Sequence, residues 1–316
     1  MATYGSLEGK LVVLLGGSGF FGKHIAQELL ERGARLRIAS RNPEAAFTLK
    51  PLADLGQLQF VRCDITKPDG LAVALDGAHA AVNLVGVFKG DLEAIMGDAA
   101  GSAAKAAKEA GAKAFVQVSA IGADAESDVG YARAKAIGER AVLSEFPKAT
   151  IIRPPVLFAE DDNFINMFAK LISTFPALPV FAPEAKLQPL HVDDAAAAVV
   201  AALANPAKHG GKTFEIAGPV ALTMAEINRK IAAAQNRDRL FIELPDFVSE
   251  TFASATGWLP FAPISRDQLT LLQQGGEPSG KFPGIDKLGI SPRPLDLYLD
   301  RWMTRYRKHG RFGARA

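Results

Sequence analysis

Five short apolar runs dominate the first half of the chain: LVVLL at 11–15, RLRIAS at 35–40, LQFVRC at 58–63, AAVNLV at 80–85 and AFVQVS at 114–119. Between them lie FGKHIAQELLERG, PDGLAVALDG and the alanine-rich GDAAGSAAKAAKEAG, each with apolar residues at helical spacing. Strands buried on both faces read as continuous apolar runs, and helical crossovers between them make neighbouring strands parallel. A sixth run, TIIRPPVLF at 150–158, extends the series. The pattern predicts an α/β fold built on a doubly wound parallel sheet.

After Pro155 proline and aromatic residues become frequent, as in TFPALPVFAPEAKLQPLHVDD, and the alternation weakens. A helix at 192–205 and a strand at 212–218 are expected to return to the first domain. The predicted organisation is a nucleotide-binding domain at 1–155, completed by about 186–218, and a smaller C-terminal α/β lobe from 156–185 and 219–316. A length of 316 residues suits one or two domains, and 48% hydrophobic with 22% charged residues is ordinary for a globular chain.

The single cysteine, Cys63, excludes an internal disulfide and any multi-cysteine metal site, and fits a reducing compartment. The five histidines form no ligand-spaced pair, so no metal is expected, and no nucleic-acid partner either. No run reaches the roughly 18 apolar residues of a membrane span. LVVLL enters a glycine loop without a cleavage site, so it reads as a buried strand in a cytoplasmic or matrix-like protein. Residues 301–316 hold six of the 36 Lys and Arg and no acid, which leaves 30 basic against 34 acidic groups elsewhere.

The stretch LVVLLGGSGFFGKHIAQEL places Gly16, Gly19 and Gly22 between a strand and a helix, with Gly17 also giving G-x-G-x-x-G. Glycines allow a tight turn and close approach of the backbone to a pyrophosphate, whose charge the amides opening the helix would meet. Glycines alone also mark ordinary turns; the strand before, the helix after and the second strand about 20 residues on make this instance specific for a dinucleotide. Binders of NAD usually end the second strand in Asp or Glu, whereas this strand ends in Ser40 and Arg41, with Arg35 and Arg37 upstream. A guanidinium binds a 2′-phosphate through charge-assisted hydrogen bonds, so NADP(H) is the expected cofactor. Asp64 and Ile65 in CDIT, and Asn83, Val85 and Gly86 in NLVG, are either cofactor contacts or strand-end turn chemistry.

Tyr131 and Lys135 form Y-x-x-x-K, a spacing that puts both on one helix face. A neighbouring ammonium lowers a phenol pKa from about 10, so Tyr131 is a candidate proton donor to a carbonyl, with Ser119 hydrogen-bonding the same oxygen.

These stretches, with IIRPPVLF and LHVDDAA, occur in the order seen in short-chain dehydrogenase/reductases of the extended or atypical kind, which the chain resembles over nearly its whole length. Within that group, GGSGFFGKHIAQEL, VQVSAIGADAESDVGYARAKAIGE and FAPEAKLQPLHVDDAA most resemble the family of Rossmann-fold accessory subunits of respiratory complex I and their bacterial relatives. The resemblance implies a Rossmann domain holding NADPH without established turnover, and a structural or assembly role at the junction of the peripheral arm and the membrane. It adds Ser18, Phe20, Phe21 and Pro154 to the cofactor-binding candidates, and makes Ser119, Tyr131 and Lys135 candidates for both binding and catalysis. One departure from the enzyme pattern stands out. Ser119 and Tyr131 are only 12 residues apart, shorter than the loop extended-type enzymes use to shape a substrate pocket.

Two functions therefore remain open. One is an NADPH-binding structural subunit of a membrane-bound quinone reductase. The other is a free NADP-dependent carbonyl or hydroxyl oxidoreductase using Ser119, Tyr131 and Lys135, ahead of an epimerase or dehydratase. Leu295, Leu299, Trp302, Met303 and Tyr306 recur at helical spacing among Arg301, Arg305, Arg307 and Lys308. Such a segment fits a peripheral contact with an anionic inner-membrane surface or an acidic partner, or else an apolar face packed on the chain's own second domain.

Overall fold

The computed structural model describes residues 7–244, 266–308 and 310. In chain order its regular elements begin with β1 (Leu11–Leu15), α1 (Phe20–Glu31), β2 (Arg35–Ser40), β3 (Leu58–Arg62), α2 (Pro68–Leu75) and β4 (Ala80–Asn83). Next come α3 (Ala99–Glu109), β5 (Ala114–Val118), α4 (Gly130–Glu145), β6 (Thr150–Arg153), β7 (Leu157–Phe158), α5 (Phe164–Thr174), β8 (Ala177–Val180), β9 (Lys186–Leu187) and β10 (Leu190–His191). They are followed by α6 (Val192–Ala204), α7 (Pro206–His209), β11 (Thr213–Glu215), β12 (Leu222–Thr223), α8 (Met224–Ala234) and β13 (Leu240–Glu243), and then helices at Arg266–Gln274 and Asp296–Trp302.

Contacts divide the chain into two compact units, the first drawn from Met1–Pro154, Val192–Ile216 and Ser279–Ser291, the second from Pro155–His191, Ala217–Pro278 and Pro292–Ala316. The first unit is a Rossmann-like α/β layer structure. Its seven strands are all parallel, in the order β11-β6-β5-β4-β1-β2-β3. The order reverses between β1 and β4, where Leu15 lies opposite Asn83, and a doubly wound sheet takes its ligands at the carboxyl end of such a switch.

The predicted single strand at 150–158 is two strands. Pro154 and Pro155 have no N–H to give a ladder, so β6 stops at Arg153 in the first unit, while β7 pairs with β10 in the second. Residues 279–291 belong to the first unit because Glu215 of β11 accepts from the Ser279 amide and hydroxyl and donates its own amide to Pro283.

Alanine makes α3 a close-packing helix. Ala99, Ala100, Ala103, Ala104 and Ala107 are buried, and α3 lies against α4. The approach is closest at Gly138 of α4, where an added Cβ would overlap the carbonyl oxygen of Met96 in the helical turn that leads into α3. Glycine is needed there for space.

The second unit buries the apolar face of the Asp296–Trp302 helix and the turn after it: Leu295, Leu299, Trp302 and Met303 are all in its core. Tyr298 and Trp302 stack at 4.8 Å, and His191 stacks on Tyr298 at 4.2 Å. Tyr306 donates to Asn166, and Arg307 donates to the Ala234 carbonyl. Of the alternatives for this face, packing within the second unit is the one observed; residues 311–316 lie outside the described ones.

Gly138→Ala is expected to destabilise the first unit by about 1–3 kcal/mol through overpacking, read from urea unfolding; an unchanged midpoint would contradict the contact. Removing residues 301–316 should lower the melting temperature of the second unit. Loss of a buried Trp side chain alone costs roughly 3–5 kcal/mol, and calorimetry showing no shift would return this segment to the role of a free tail.

Candidate functional site

The carboxyl ends of β1, β2, β4 and β5 converge on the switch point, and the glycine loop occupies its centre. Gly16 has φ of +78°, which glycine adopts without strain, and its amide donates to the Ala39 carbonyl at 2.7 Å. A Cβ on Gly17 would lie 2.6 Å from the Leu14 Cβ, and one on Gly22 would lie 2.6 Å from the Gly17 Cα. These two glycines press α1 onto the loop. Gly19 differs: a Cβ there would meet nothing nearer than the Gly16 oxygen at 3.5 Å, so its side is open. It caps α1 with no side-chain hydrogen bond, and the first turn carries no acid. The amides of Phe20, Phe21 and Gly22, next to Ser18, thus face an end of the helix suited to negative charge.

Ser40 ends β2 buried, and its hydroxyl has no hydrogen-bond partner among the described residues. Arg41, beside it, is exposed and makes no side-chain hydrogen bond or ion pair among them. The upstream arginines are elsewhere. Arg37 is committed to structure, donating to Gln59 at 3.1 Å and to the carbonyls of Ala74 and Asp76 at 2.8 and 2.7 Å. Arg35 opens the strand at the far end. Arg62, opposite Ser40 in the register, pairs with Glu44 at 3.1 Å, which leaves Arg41 as the uncommitted arginine beside Ser40 among the described residues.

Asp64 does turn chemistry. Its carboxylate accepts from the Thr66 amide at 3.0 Å and the Thr66 hydroxyl at 2.8 Å, which hold its pKa below the ordinary value; Ile65 beside it is buried. Asn83 is buried, donates to Gln117 at 2.8 Å and accepts from the Val85 amide at 3.2 Å, fixing the turn that carries Val85 and Gly86. A Cβ on Gly16 would sit 3.2 Å from the Val85 side chain, so the two loops touch across the switch.

Ser119, just past β5, is buried, and its hydroxyl also lacks a partner among the described residues. Its amide is held by the Ile152 carbonyl, and the following loop by the Ile121 amide donating to Pro154 at 3.0 Å. The Lys135 ammonium is held by backbone carbonyls. Nζ donates to the carbonyls of Val85 at 3.2 Å and Val118 at 3.1 Å, tying the turn after β4 to the end of β5. Burial lowers its pKa to about 8, partly offset by the charge of Glu139. The ammonium lies 5.7 Å from the centre of the Tyr131 ring, and no hydrogen bond joins the Tyr131 hydroxyl to Lys135 or Ser119 among the described residues. Burial pushes the Tyr131 phenol up to about 12, opposite to the lowering expected from a neighbouring ammonium. Its ring is stacked by Phe88 at 4.5 Å and 15°.

A buried charge cluster escaped the sequence reading. Arg153 pairs through two nitrogens with Glu139, at 2.8 and 2.6 Å, and with Glu215 at 3.2 Å. The signal was present as a charge inside each of two apolar strands, TIIR and TFE, but the partners are 14 and 62 residues away.

The open Gly19 face, the uncapped α1 and two buried, unpartnered hydroxyls at the ends of β2 and β5 suit a dinucleotide. The family model described as NAD(P)H-binding matches residues 16–206. This chain belongs to that NAD(P)H-binding family. Within it, the chain is 30% identical over 312 residues to subunit 9 of the NADH dehydrogenase [ubiquinone] 1 alpha subcomplex of Mus musculus, covering 96% of this chain and 82% of that one. It is 31% identical over 241 residues to the ceramide reductase of Caulobacter vibrioides, covering 75% of this chain and 74% of the relative. Among solved structures, the Citrobacter triphenylmethane reductase complexed with NADP(H) shares the fold, with a TM-score of 0.74 at 20% identity, covering 90% of this chain and 97% of that one.

In the nucleotide-free protein, an ultraviolet difference titration of wild type minus Tyr131→Phe should show no phenolate from Tyr131 below pH 10. A Tyr131 phenolate appearing near neutrality would mean that Lys135 tunes it after all.

Proposed function

We propose that this family member holds NADP(H) as a structural or assembly subunit of a membrane-attached quinone reductase, without turning the cofactor over. The observation that carries the reading is the likeness to the complex I subunit across 96% of this chain and 82% of the relative. The arrangement around Tyr131 supports it: the lysine that would activate the phenol is spent on two backbone carbonyls. Ser119, Tyr131, Lys135 and Pro154 then serve with Asn83, Val85 and Gly86 to shape the nicotinamide end of the site. Gly16, Ser18, Gly19, Phe20, Phe21 and Gly22 receive the pyrophosphate, Ser40 and Arg41 the 2′-phosphate, and Asp64 and Ile65 border the adenine.

The partners on this reading are complex I subunits where the peripheral arm meets the membrane, giving a peripheral location on an inner membrane. Among the described residues no helix is long and apolar enough to cross a membrane. Any contact of the 301–316 segment with an anionic surface would be electrostatic, through exposed Arg301 and Lys308, since its described apolar face is internal.

The relation to a ceramide reductase favours a second reading, an NADP-dependent carbonyl or hydroxyl oxidoreductase. When bound, the cofactor would supply hydride; Tyr131 would give the proton and Ser119 would hold the carbonyl oxygen. Lys135 would first have to release Val85 and Val118.

Native purification followed by identification of the bound nucleotide and co-purifying proteins separates the two. We expect NADP(H) in preference to NAD(H), and respiratory-complex subunits in the same fraction. Arg41→Asp should weaken NADPH binding by one to two decades, because a charge-assisted hydrogen bond contributes about 1.5–3 kcal/mol; equal retention of both nucleotides by the unaltered protein would sink the assignment. A free protein that reduces a carbonyl compound, and loses that activity in Tyr131→Phe while keeping NADPH, would establish the reductase instead.

A further inference from the structure

The turn after β4 carries a residue that neither reading uses. Phe88 is 57% exposed, an unusual position for a large apolar ring, yet it lies flat on Tyr131 with centroids 4.5 Å apart. The chain on either side is held unequally. Val85 is anchored by Asn83 and by the Lys135 ammonium, and the Asp91 carboxylate accepts from the Ala94 amide. Between them, Phe88, Lys89 and Gly90 make no backbone hydrogen bond among the described residues. Gly86 and Gly90 flank this short span, and Gly90 has φ of +93°, a conformation glycine takes freely. The Val87 amide reaches the Met96 sulfur at 3.4 Å, and beyond that point the stack on Tyr131 is the contact that holds the tip of the turn down.

We infer that Phe88 is an autoinhibitory cover, closing one face of Tyr131 so that a substrate reaches the phenol only by displacing the ring. The tyrosine is fixed by its place in the first turn of α4, whereas the span 88–90 is held by the stack and, through its neighbour Val87, by one amide contact to the Met96 sulfur at 3.4 Å. Displacement is thus a movement of Val87, Phe88 and Lys89 between Gly86 and Gly90, with no helix or strand disturbed. The cover determines which compounds reach Tyr131, and it keeps a Y-x-x-x-K chain silent toward most carbonyl compounds.

Tetranitromethane, which nitrates phenolate, tests the cover without any turnover. Peptide mass spectrometry resolves Tyr131 from Tyr4, Tyr298 and Tyr306. With the full-length protein, Phe88→Ala should raise the nitration rate of Tyr131 about tenfold or more, since each unit by which a more hydrated phenol falls toward its ordinary pKa of ~10 gives a tenfold gain in phenolate. Phe88→Trp, which restores a flat ring, should stay protected like wild type. More than half of Phe88 is exposed, so both variants are expected to fold and to retain NADPH as wild type does. Tyr131 nitrated as fast in wild type as in Phe88→Ala, or as fast in Phe88→Trp as in Phe88→Ala, would overturn the cover. The measurement needs no nucleotide and no partner, so failure of the proposed function and failure of the cover are read separately.

Discussion

The contact between Gly17 and Gly22 sets the dimensions of everything around it. With a Cβ on Gly22 only 2.6 Å from the Gly17 Cα, neither side chain nor water separates α1 from the loop that feeds it. The helix therefore starts directly over the end of β1, with its first amides at the sheet's switch point. That placement leaves Gly19 as the open member of the set and brings Val85 against Gly16. A larger residue at either end of the contact would lift the helix and separate the pieces of the site. The glycine spacing works as a packing constraint first, and the accommodation of an anion follows from it.

A second constraint is the competition for Lys135. A buried ammonium needs hydrogen-bond partners, because an unpaired charge away from water is far more costly than one satisfied by carbonyls. Val85 and Val118 provide two, and Glu139, four residues along the same helix, adds an opposing charge. Glu139 in turn is saturated by the paired contact with Arg153, which also reaches Glu215. The chain of partners runs from the cofactor-side turn to the far strand of the sheet. In such a cluster each charge is fixed by the next, and removing one member leaves another unpaired. Lys135 thus has a structural task that draws it from Tyr131, and the phenol is left without the charge that would ease its ionisation.

The sheet was legible because parallel strands covered on both faces must be apolar throughout, and the glycine loop because its spacing is a steric requirement. Asn83 and Lys135 were legible as positions, but which atoms they bind depends on strands brought together only by folding. The division of 150–158 turned on Pro154 and Pro155, whose missing amides were visible in the sequence while the pairing of β7 with β10 was not. The amphipathic stretch ending in Trp302 shows the limit most clearly. Helical spacing specifies an apolar face, and a face packed on its own unit has the same pattern as one offered to a lipid or partner. Arg153 and Phe88 were missed for related reasons: one finds its partners across 14 and 62 residues, the other is a lone aromatic whose partner, Tyr131, lies 43 residues on.

A bound dinucleotide has two separable consequences for a fold of this kind. It brings reactivity, which requires a substrate path and a tuned proton donor. It also stabilises the native state by mass action, by about 2.7 kcal/mol at a hundredfold excess over the dissociation constant, whether or not any reaction follows. The features that favour binding here (the glycine loop, Ser40 with Arg41, and the turn at Asn83) lie at the ends of β1, β2 and β4. Those that would be needed for reactivity lie at the end of β5 and the start of α4, where two carbonyls engage Lys135 and Phe88 stacks on Tyr131. On the proposed reading Ser119, Tyr131 and Lys135 also shape the nicotinamide end, so the two requirements overlap at β5 and separate at β1 and β2, where binding needs no proton donor. A chain arranged in this way can use its cofactor as a structural part, holding β1, β2 and β4 in register at the switch point.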